Sequence, residues 1–341
     1  MPDDYSYKVV LVDYDDDLFA PRGTEEVVLA SVGASWIAAQ HRTPEAILAA
    51  AADADVVMIQ SVRPLLQGPV IDGLERCRAI IRVGIGYDSV DVAAATERGI
   101  LVCNVPDYCA EEVSDHAISL LLGAARHLAR QDRSIRSGQW DRTLAKPAQR
   151  LRGRTLGLLG FGRTARGVAL KVRGFQFNLL AHDPYIDQEV FQTYGVKPVD
   201  LVELLRSSDF LSVHVPLMES TYHLLGAKEL AMMPQGAVLV NTARGPVVDQ
   251  RALTIALCEG PLAAAGLDVL EWEPPESDDP LLKLDNVILT PHTAGYSEQS
   301  VADLYRLACQ TAVEVLEGRL PSTVVNPTAV KRAQARWKFE D

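Results

Sequence analysis

The amino-acid sequence predicts two doubly wound α/β domains with parallel sheets, the second inserted into the first. Its 341 residues exceed what one hydrophobic core usually supports, so two domains are expected. Short apolar runs rich in β-branched residues alternate with helical segments in two separate series. A helix predicted over residues 297–316 follows the second series without a further strand and could return to the first domain. The first domain is therefore predicted at 1–104 plus 297–341, and the inserted domain at 105–296.

The first series joins its predicted strands by helices with recognisable ends. Thr43 is the expected N-cap of one helix, with Pro44 at the first helical position. Asp91 caps another helix, which ends at Gly99. Strands that alternate with helices in this way are connected by right-handed crossovers and form a parallel sheet. The strands of this series are predicted at 8–14, 55–60, 79–83 and 100–105.

A long helix and an arm separate the two series. Apolar residues at three-to-four spacing predict a helix over residues 110–135. The pattern breaks at residues 137–152, which are expected to form an extended arm, with Trp140 as a packing anchor. The charged tail over 331–341 is predicted to be poorly ordered. The strands of the second series are predicted at 155–160, 178–183, 210–215, 237–242, 263–269 and 286–291.

The glycine-rich turn after the first strand of the second series is a candidate phosphate site. Gly160 permits a tight turn, Gly162 lets a pyrophosphate approach the backbone, and Ala165 is small enough for the helix to pack on its strand. Such a junction alone is weak evidence. Asp183 ends the next strand, 21 residues after Gly162, where a carboxylate can accept both ribose hydroxyls and repel a 2′-phosphate. The alternative is that Asp183 only caps a helix. The pattern favours NAD over NADP.

Three polar residues follow later strands of this series, where open α/β sheets place their ligands. They are Arg244, Glu273 and His292. A histidine with a carboxylate partner keeps its proton near neutral pH and can donate it to a carbonyl oxygen. An arginine can bind a carboxylate and polarise the adjacent carbonyl. Each residue alone is also compatible with a solvated or structural role, and the sequence does not show that the three meet.

The composition excludes several partners. A formal net charge of −12 argues against nucleic acids and anionic membranes, although a local pocket can still oppose it for a small anionic substrate. No apolar run approaches the roughly 20 residues that span a bilayer. Residues 1–8 are acidic and polar, unlike a secretory signal. Five dispersed cysteines suit reduced thiols in the cytoplasm, and no metal site is predicted.

Several motifs occur in order along almost the whole chain: RVGIGYDSVD, GLLGFGRTA, HDPY, HVPLMESTYHLLG, NTARGPVVD, AGLDVLEWEP and TPHTAG. With them the chain resembles the D-isomer-specific 2-hydroxyacid dehydrogenases. The resemblance implies a Rossmann NAD domain inserted into a flavodoxin-like substrate domain. It also implies an NAD-dependent enzyme that interconverts a small 2-keto acid and a D-2-hydroxy acid. A homodimer is expected, with a dimerisation arm at about 110–152.

The resemblance also implies roles for individual residues. His292 would be the general acid/base, and Glu273 the partner that keeps it protonated. Arg244 would bind the substrate carboxylate and carbonyl. The implied substrate-binding residues are Ser61, Gly84, Ile85, Gly86 and Arg244. The implied cofactor-binding residues are Gly160, Gly162, Arg163, Thr164, Ala165, Asp183, His214, Val215, Pro216, Glu219, Thr242, Ala243, Arg244, Asp268, His292 and Gly295.

Departures from related families narrow the expected substrate. Glu273 stands where formate dehydrogenases have glutamine, and Ile85 where phosphite dehydrogenases have lysine. Gln60 stands where phosphoglycerate dehydrogenases commonly have arginine, so a phosphorylated substrate is possible but not preferred. C-terminal-binding-protein corepressors have a tryptophan at the position of Gly295. A dimeric NAD-sensing scaffold of corepressor type is the alternative to an enzyme.

Overall fold

The computed structural model describes residues 5–339, which form two compact units. Unit 1 contains the described residues up to Cys109 and those from Tyr296 onward, and unit 2 spans Ala110–Gly295. The predictions of a polar N-terminus and a poorly ordered tail extend to positions 1–4, 340 and 341, which lie outside the described residues.

The helices and strands are numbered in chain order. The strands are β1 Tyr7–Leu11, β2 Ala34–Ala38, β3 Val56–Ile59, β4 Ala79–Arg82, β5 Leu101–Cys103, β6 Thr155–Leu159, β7 Asn178–His182, β8 Lys197–Pro198, β9 Phe210–Val213, β10 Ala237–Asn241, β11 Leu262–Leu267 and β12 Val287–Leu289. The helices are α1 Glu25–Ala30, α2 Pro44–Ala51, α3 Gly68–Asp72, α4 Val92–Glu97, α5 Ala110–Ala125, α6 Leu128–Arg136, α7 Arg163–Lys171, α8 Gln188–Tyr194, α9 Leu201–Ser207, α10 Ala227–Leu230, α11 Gln250–Cys258, α12 Glu298–Leu316 and α13 Val330–Trp337.

Unit 1 is built on a parallel five-stranded sheet with the order β2-β1-β3-β4-β5. This is the flavodoxin-like strand order. Successive residues of β1 point to opposite faces, so Val9 and Leu11 join one hydrophobic cluster and Val10 joins the other. Both faces of the sheet are therefore covered, which confirms the predicted fold class for this unit.

The sequence analysis missed strand β2, which forms one edge of this sheet. Only Ala34 of its five residues is buried. An edge strand that is half exposed lacks the continuous apolar run by which the central strands were predicted.

Helix α12 packs on the sheet of unit 1. Ser297 caps it, since its Oγ accepts a hydrogen bond from the Ser300 amide at 2.9 Å. Val301, Leu304 and Tyr305 are buried in the same cluster as the inner residues of the strands. The last long helix of the chain thus completes the core of the first unit.

The tail forms helix α13, and the prediction that it is poorly ordered was wrong where the structure describes it. Arg332 Nη1 donates to the carbonyls of Thr96 and Glu97 at 3.3 and 3.1 Å. Arg336 Nη1 donates to the Arg98 carbonyl at 3.2 Å. These carbonyls end α4, where cationic side chains are favourable partners. The prediction rested on the charge of the tail, whereas two of its guanidinium groups cap another helix.

Unit 2 is built on a parallel seven-stranded sheet with the order β12-β11-β10-β9-β6-β7-β8. The strands from β6 to β11 are arranged in the sheet in the strand order of the Rossmann fold. Strand β12 extends one edge of this sheet. Separate hydrophobic clusters cover the two faces of the sheet. The predicted fold class is confirmed here as well, although the two-residue strand β8 was not predicted.

The helix predicted over residues 110–135 is two helices, α5 and α6. His127 between them has φ 53, in the left-handed region, so the chain turns there. The apolar spacing continues across the break, which is why the pattern did not reveal it. Residues 137–152 contain one short 3₁₀ turn, Arg142–Ala145, and no other helix or strand.

Among residues 5–339, no helix has the length and apolar content needed to cross a membrane. No cluster of His, Cys, Asp and Glu side chains in that range could hold a metal ion.

Candidate active site

The glycine turn after β6 depends on a close approach between backbones. Gly160 has φ +88, and a Cβ there would lie 2.9 Å from the carbonyl carbon of His214. Any side chain would push the loop after β9 away from the turn. Gly160 therefore lets the ends of β6 and β9 lie close together. This is a second reason for glycine at this position, in addition to the tight turn that the sequence predicted.

The start of α7 is open. Gly162 precedes the helix, and apart from its two chain neighbours no described residue has an atom within 4 Å of the place where its Cβ would be. No side chain caps the helix, whose first turn contains Arg163 and Thr164. Ala165 is buried against the sheet. A helix start that is neither capped nor covered presents amide groups and a partial positive charge, which suit a phosphate.

Asp183 follows β7, and backbone amides orient its carboxylate. Oδ2 accepts from the amide of Phe161, within the glycine turn, at 2.8 Å. Oδ1 accepts from the amide of Tyr185 at 3.0 Å. Asp187, not Asp183, directly precedes α8, so Asp183 is not the cap of that helix. The geometry thus places an acceptor with remaining lone pairs beside the glycine turn.

The loop after β9 begins at His214, whose imidazole nitrogen is buried although part of the residue is exposed. Burial lowers the pKa of His214 to about 4, so the ring is neutral. Its Nε2 has no hydrogen-bond partner among the described residues. Thr221 Oγ1 donates to the Pro216 carbonyl at 2.6 Å and holds the loop, in which Val215 is half-buried and Glu219 is exposed.

The segment after β10 is held by Asn241, the last residue of the strand. Its Oδ1 accepts from the Ala243 amide at 3.0 Å, and its Nδ2 donates to the Arg244 carbonyl at 2.9 Å. Arg244 Nη1 donates to the Ala243 carbonyl at 2.8 Å. The buried Thr242 Oγ1 has no hydrogen-bond partner among residues 5–339. A buried asparagine that was not among the predicted residues therefore holds the backbone of the segment that carries Arg244.

Gly245 brings the Arg244 segment onto the loop that follows β11. A Cβ at Gly245 would lie 1.8 Å from the Leu270 carbonyl oxygen, so the two backbones are in direct contact. The second loop carries Glu273, which accepts from the Leu270 amide at 3.0 Å. Because only glycine fits between them, Arg244 and Glu273 lie on adjoining loops.

His292 and Glu273 form a hydrogen-bonded pair. His292 Nδ1 lies 2.7 Å from Glu273 Oε2. Burial would raise the pKa of Glu273, but the hydrogen bond and charge of His292, the Leu270 amide and the charge of Arg244 outweigh it and lower that pKa below its ordinary 4.5. The side chains are about one-third exposed, so Nε2 of His292 can meet a small molecule while Nδ1 is held.

Asp268 holds the backbone of the loop that carries His292. Its carboxylate accepts from the amides of Thr293 and Ala294, both at 2.9 Å. Its carbonyl accepts from the His292 amide at 2.8 Å. Asp268 is buried, and Gly295, the last residue of the unit, is half-buried. Asp268 therefore orients the histidine as well as being a predicted cofactor contact.

In unit 1, side-chain and backbone donors fix the loop of Gly84, Ile85 and Gly86. Asn104 Nδ2 donates to the Ile85 carbonyl at 2.7 Å. The Val105 amide donates to the Gly84 carbonyl at 2.9 Å. The Gly84 amide itself donates to the Arg82 carbonyl at 2.9 Å, so the amides of Ile85 and Gly86 are the ones that this bend can offer to an anion. Asn104 is a second residue that the sequence analysis missed.

Ser61 is fully buried in unit 1, and its Oγ accepts from the Arg63 amide at 3.1 Å. Arg63 Nη1 pairs with Asp15 at 2.9 Å and lies 3.6 Å from the buried Asp13. The direction of Arg63, which the sequence could not indicate, is thus set by two carboxylates. Ser61 as a direct substrate contact stays a prediction.

The predicted residues therefore fall into two groups. Unit 2 brings together Arg244, Glu273, His292 and Asp268, and in the same unit the glycine turn lies beside Asp183. Unit 1 contains Gly84, Ile85, Gly86 and Ser61. Asn241 and Asn104 were not predicted because the backbone groups that they bind come close only in the folded chain. The one sequence signal for either residue was its position directly after an apolar run.

The motifs can now be compared with known proteins. A family model described as "D-isomer specific 2-hydroxyacid dehydrogenase, NAD binding domain" matches residues 118–294, just over half of the chain and all within unit 2. The chain belongs to this family. The resemblance and the NAD cofactor predicted from the sequence are thereby confirmed.

Proteins similar to this chain include a phosphoglycerate dehydrogenase and two glyoxylate reductases. The chain is 41% identical over 285 residues to the D-3-phosphoglycerate dehydrogenase of Methanocaldococcus jannaschii, covering 83% of this chain but only 54% of that protein. It is 40% identical over 282 residues to the glyoxylate reductase of Korarchaeum cryptofilum, covering 82% and 85%. A glyoxylate reductase structure from Paecilomyes thermophila superposes with a TM-score of 0.82 at 30% identity, covering 92% and 96%. The chain thus spans about half of the phosphoglycerate dehydrogenase.

The residues present fit a bound NAD. The open start of α7 at Gly162 can receive a pyrophosphate, and Asp183 retains acceptor capacity for ribose hydroxyls. His214 Nε2 and Thr242 Oγ1, buried and without a hydrogen-bond partner in the described part of the chain, follow β9 and β10, at the strand ends where this fold binds its cofactor.

Proposed function

We propose that this protein interconverts a 2-keto acid and the corresponding D-2-hydroxy acid with NAD as the redox partner. The observation that carries the proposal is the pair of His292 and Glu273, 2.7 Å apart, on a loop that adjoins Arg244. A proton donor, its carboxylate partner and a guanidinium group are what reduction of a keto acid requires.

In the reductive direction, His292 donates the proton of Nε2 to the keto oxygen. Glu273 stabilises the imidazolium before the transfer and holds the ring by Nδ1. NADH, when bound, supplies the hydride that reaches the carbonyl carbon. One hydride and one proton convert the keto acid to the hydroxy acid, and in the opposite direction His292 accepts the hydroxyl proton.

Arg244 binds the substrate carboxylate in this proposal and polarises the neighbouring carbonyl. The substrate-binding role that the resemblance implies for Gly84, Ile85 and Gly86 is kept as a proposal for unit 1. The Ile85 and Gly86 amides are its donors, because the Gly84 amide already donates to the Arg82 carbonyl. Ser61, which is buried and accepts from the Arg63 amide, keeps its implied substrate-binding role as part of this proposal.

The cofactor residues divide by the part of NAD that they would hold. Gly160, Gly162 and the first turn of α7 would hold the pyrophosphate, and Asp183 the ribose. Asp268, which already accepts the Thr293 and Ala294 amides, would use a remaining lone pair of its carboxylate for the nicotinamide amide. The remaining contacts are assigned to Arg163, Thr164, Ala165, His214, Val215, Pro216, Glu219, Thr242, Ala243 and Gly295.

We further propose that the substrate is a small unphosphorylated acid. In the phosphoglycerate dehydrogenases an arginine commonly stands at the position of Gln60. The nearby Arg63 is paired with Asp15 and lies close to Asp13, so its charge is already balanced. A phosphate there would meet two carboxylates and would have to displace them. Glyoxylate, the substrate in the names of several relatives, fits this reading.

The state of the cysteine thiols indicates the cellular compartment in which the protein works. Of the five free cysteines, all but Cys258 are buried. Burial raises the pKa of Cys77 and Cys103 to about 12, so these thiols are unreactive. We propose a cytoplasmic enzyme, in keeping with unpaired cysteines.

The test is NADH oxidation, followed by absorbance, with glyoxylate, pyruvate and larger 2-keto acids, and NAD reduction with 3-phosphoglycerate. We expect turnover with at least one unphosphorylated keto acid and a much lower kcat/KM for 3-phosphoglycerate. Absence of turnover with every acid would contradict the enzyme and favour the scaffold of corepressor type.

His292→Asn is the companion variant. We expect kcat to fall by about 10²–10⁴-fold, because the proton donor is lost. NADH binding, measured by fluorescence titration, should persist. A variant with wild-type kcat would show that His292 is not the proton donor.

A further inference from the structure

We propose that His116 is a positioning residue for His292, acting through Thr290 and Asp268. It lies on α5, outside the motifs by which the active site was predicted. The inference rests on the proposed function, since His292 is its target, and it adds a residue that the mechanism above does not contain.

The packing of α5 on β11 brings His116 to the strand end. A Cβ at Gly266 would lie 2.8 Å from Leu120 Cβ, so the helix lies directly on the strand. Leu120 and His116 are one helical turn apart on the same face of α5. Gly266 and Asp268 are two residues apart and share one side of the chain at the end of β11. His116 therefore faces Asp268 as Leu120 faces Gly266.

A chain of hydrogen bonds joins the three residues. Thr290 Oγ1 lies 2.6 Å from Asp268 Oδ1 and must donate to it, because a carboxylate only accepts. The hydroxyl has one proton, so its oxygen accepts from His116 Nε2, 2.9 Å away. His116 Nε2 is also 3.6 Å from Asp268 Oδ1. The proton of this imidazole is thus assigned to Nε2.

The carboxylate of Asp268, whose orientation these hydrogen bonds fix, in turn holds the backbone of the active-site loop. The carboxylate oxygen that accepts from Thr290 also accepts from the Thr293 amide, and the other oxygen accepts from the Ala294 amide. Both amides belong to the loop that carries His292. Asp268 is fully buried, so a rotation of its carboxylate would leave these amides without partners. His116, through Thr290, opposes that rotation.

The test compares His116→Leu, which removes the donor, with His116→Gln, which keeps an N–H at similar reach. The His116 side chain is 25% exposed, so either replacement fits without overpacking. Hydrogen exchange of the ligand-free protein, read by mass spectrometry over residues 290–296, is the first measurement. We expect exchange about fivefold faster in the leucine variant and at the wild-type rate in the glutamine variant.

Steady-state kinetics is the second measurement. We expect kcat about tenfold lower in His116→Leu, because the proton donor is misplaced, while the KM for the keto acid changes less than about twofold. Glutamine should restore kcat. Thr290→Val should match His116→Leu, and the double variant should show no further loss, because both act through one chain.

Ser119→Ala is the control, since Ser119 is exposed on the same helix and, among residues 5–339, its hydroxyl donates to the Asp115 carbonyl of its own helix. Wild-type exchange in the leucine variant, equal losses in the leucine and glutamine variants, or additive losses in the double variant would each overturn the proposal. The exchange measurement needs no substrate. A wild-type protein without turnover would contradict the proposed function and leave the exchange comparison to decide the role of His116.

Discussion

Glu273 is the charged residue whose surroundings most directly affect the chemistry. His292, Arg244 and the Leu270 amide all favour its carboxylate form and lower its pKa against the effect of burial. A carboxyl whose pKa is lowered in the folded protein contributes stability above its ordinary pKa. That contribution is lost as the pH falls through the folded-state value.

We therefore expect the difference in free energy of unfolding between wild type and Glu273→Gln to be largest above pH 4.5 and to shrink on further acidification. Denaturant unfolding at a series of pH values measures it. Glu276→Gln, at an exposed position in the same loop, is the control and should show no such trend. A pH-independent difference for Glu273 would contradict the lowered pKa.

Asp183 is the residue that we propose favours NADH over NADPH. Its charge would lie near the 2′-phosphate of NADPH, and its oxygens are held by the Phe161 and Tyr185 amides. We expect Asp183→Asn, which keeps an acceptor but loses the charge, to reduce the preference for NADH over NADPH on the order of tenfold. The ratio of kcat/KM for the two cofactors measures it. Asp187→Asn nearby should leave the ratio unchanged; an unchanged ratio in Asp183→Asn would remove this role.

At the scale of elements, α13 shows how a charged tail becomes part of a core. We expect Arg332→Ala to lower the free energy of unfolding by about 1 kcal/mol, because two carbonyls at the end of α4 lose their donor. Thermal unfolding measures it. Lys331→Ala, one residue earlier and also exposed, is the matched control. Equal melting temperatures for the two variants would show that the caps contribute nothing.

The elements also show which features a sequence can reveal. Central strands such as β3 are buried at all four residues and carry continuous apolar runs, so their positions were predictable. The edge strand β2 has no such run. Asp183 could be predicted as a cofactor residue because a local motif fixes its distance from Gly162. Asn241, Asn104 and His116 act on partners brought close only by folding, and no local pattern marks them.

For the whole molecule, the dimerisation arm at about 110–152 is the predicted contact between subunits. Trp140 is 82% exposed, and Leu128 and Ile135, seven residues apart on α6, are each more than half exposed. Exposed apolar side chains clustered in one segment are typical of an interface. We expect Trp140→Glu to convert a homodimer to monomers in sedimentation velocity. Ile255→Glu, an exposed apolar residue on α11, should leave the dimer intact. A monomeric wild type would contradict the prediction.

The return of α12 to unit 1 has a consequence for synthesis on the ribosome. All five strands of that unit are made before residue 104, yet one side of their sheet, on which α1 also packs, acquires the rest of its cover only when the segment beyond Tyr296 has been translated. The nascent chain carries this incompletely covered apolar surface throughout the making of unit 2, whose own sheet is complete by Leu289. Unit 2 can therefore fold first, and the earliest part of the chain last.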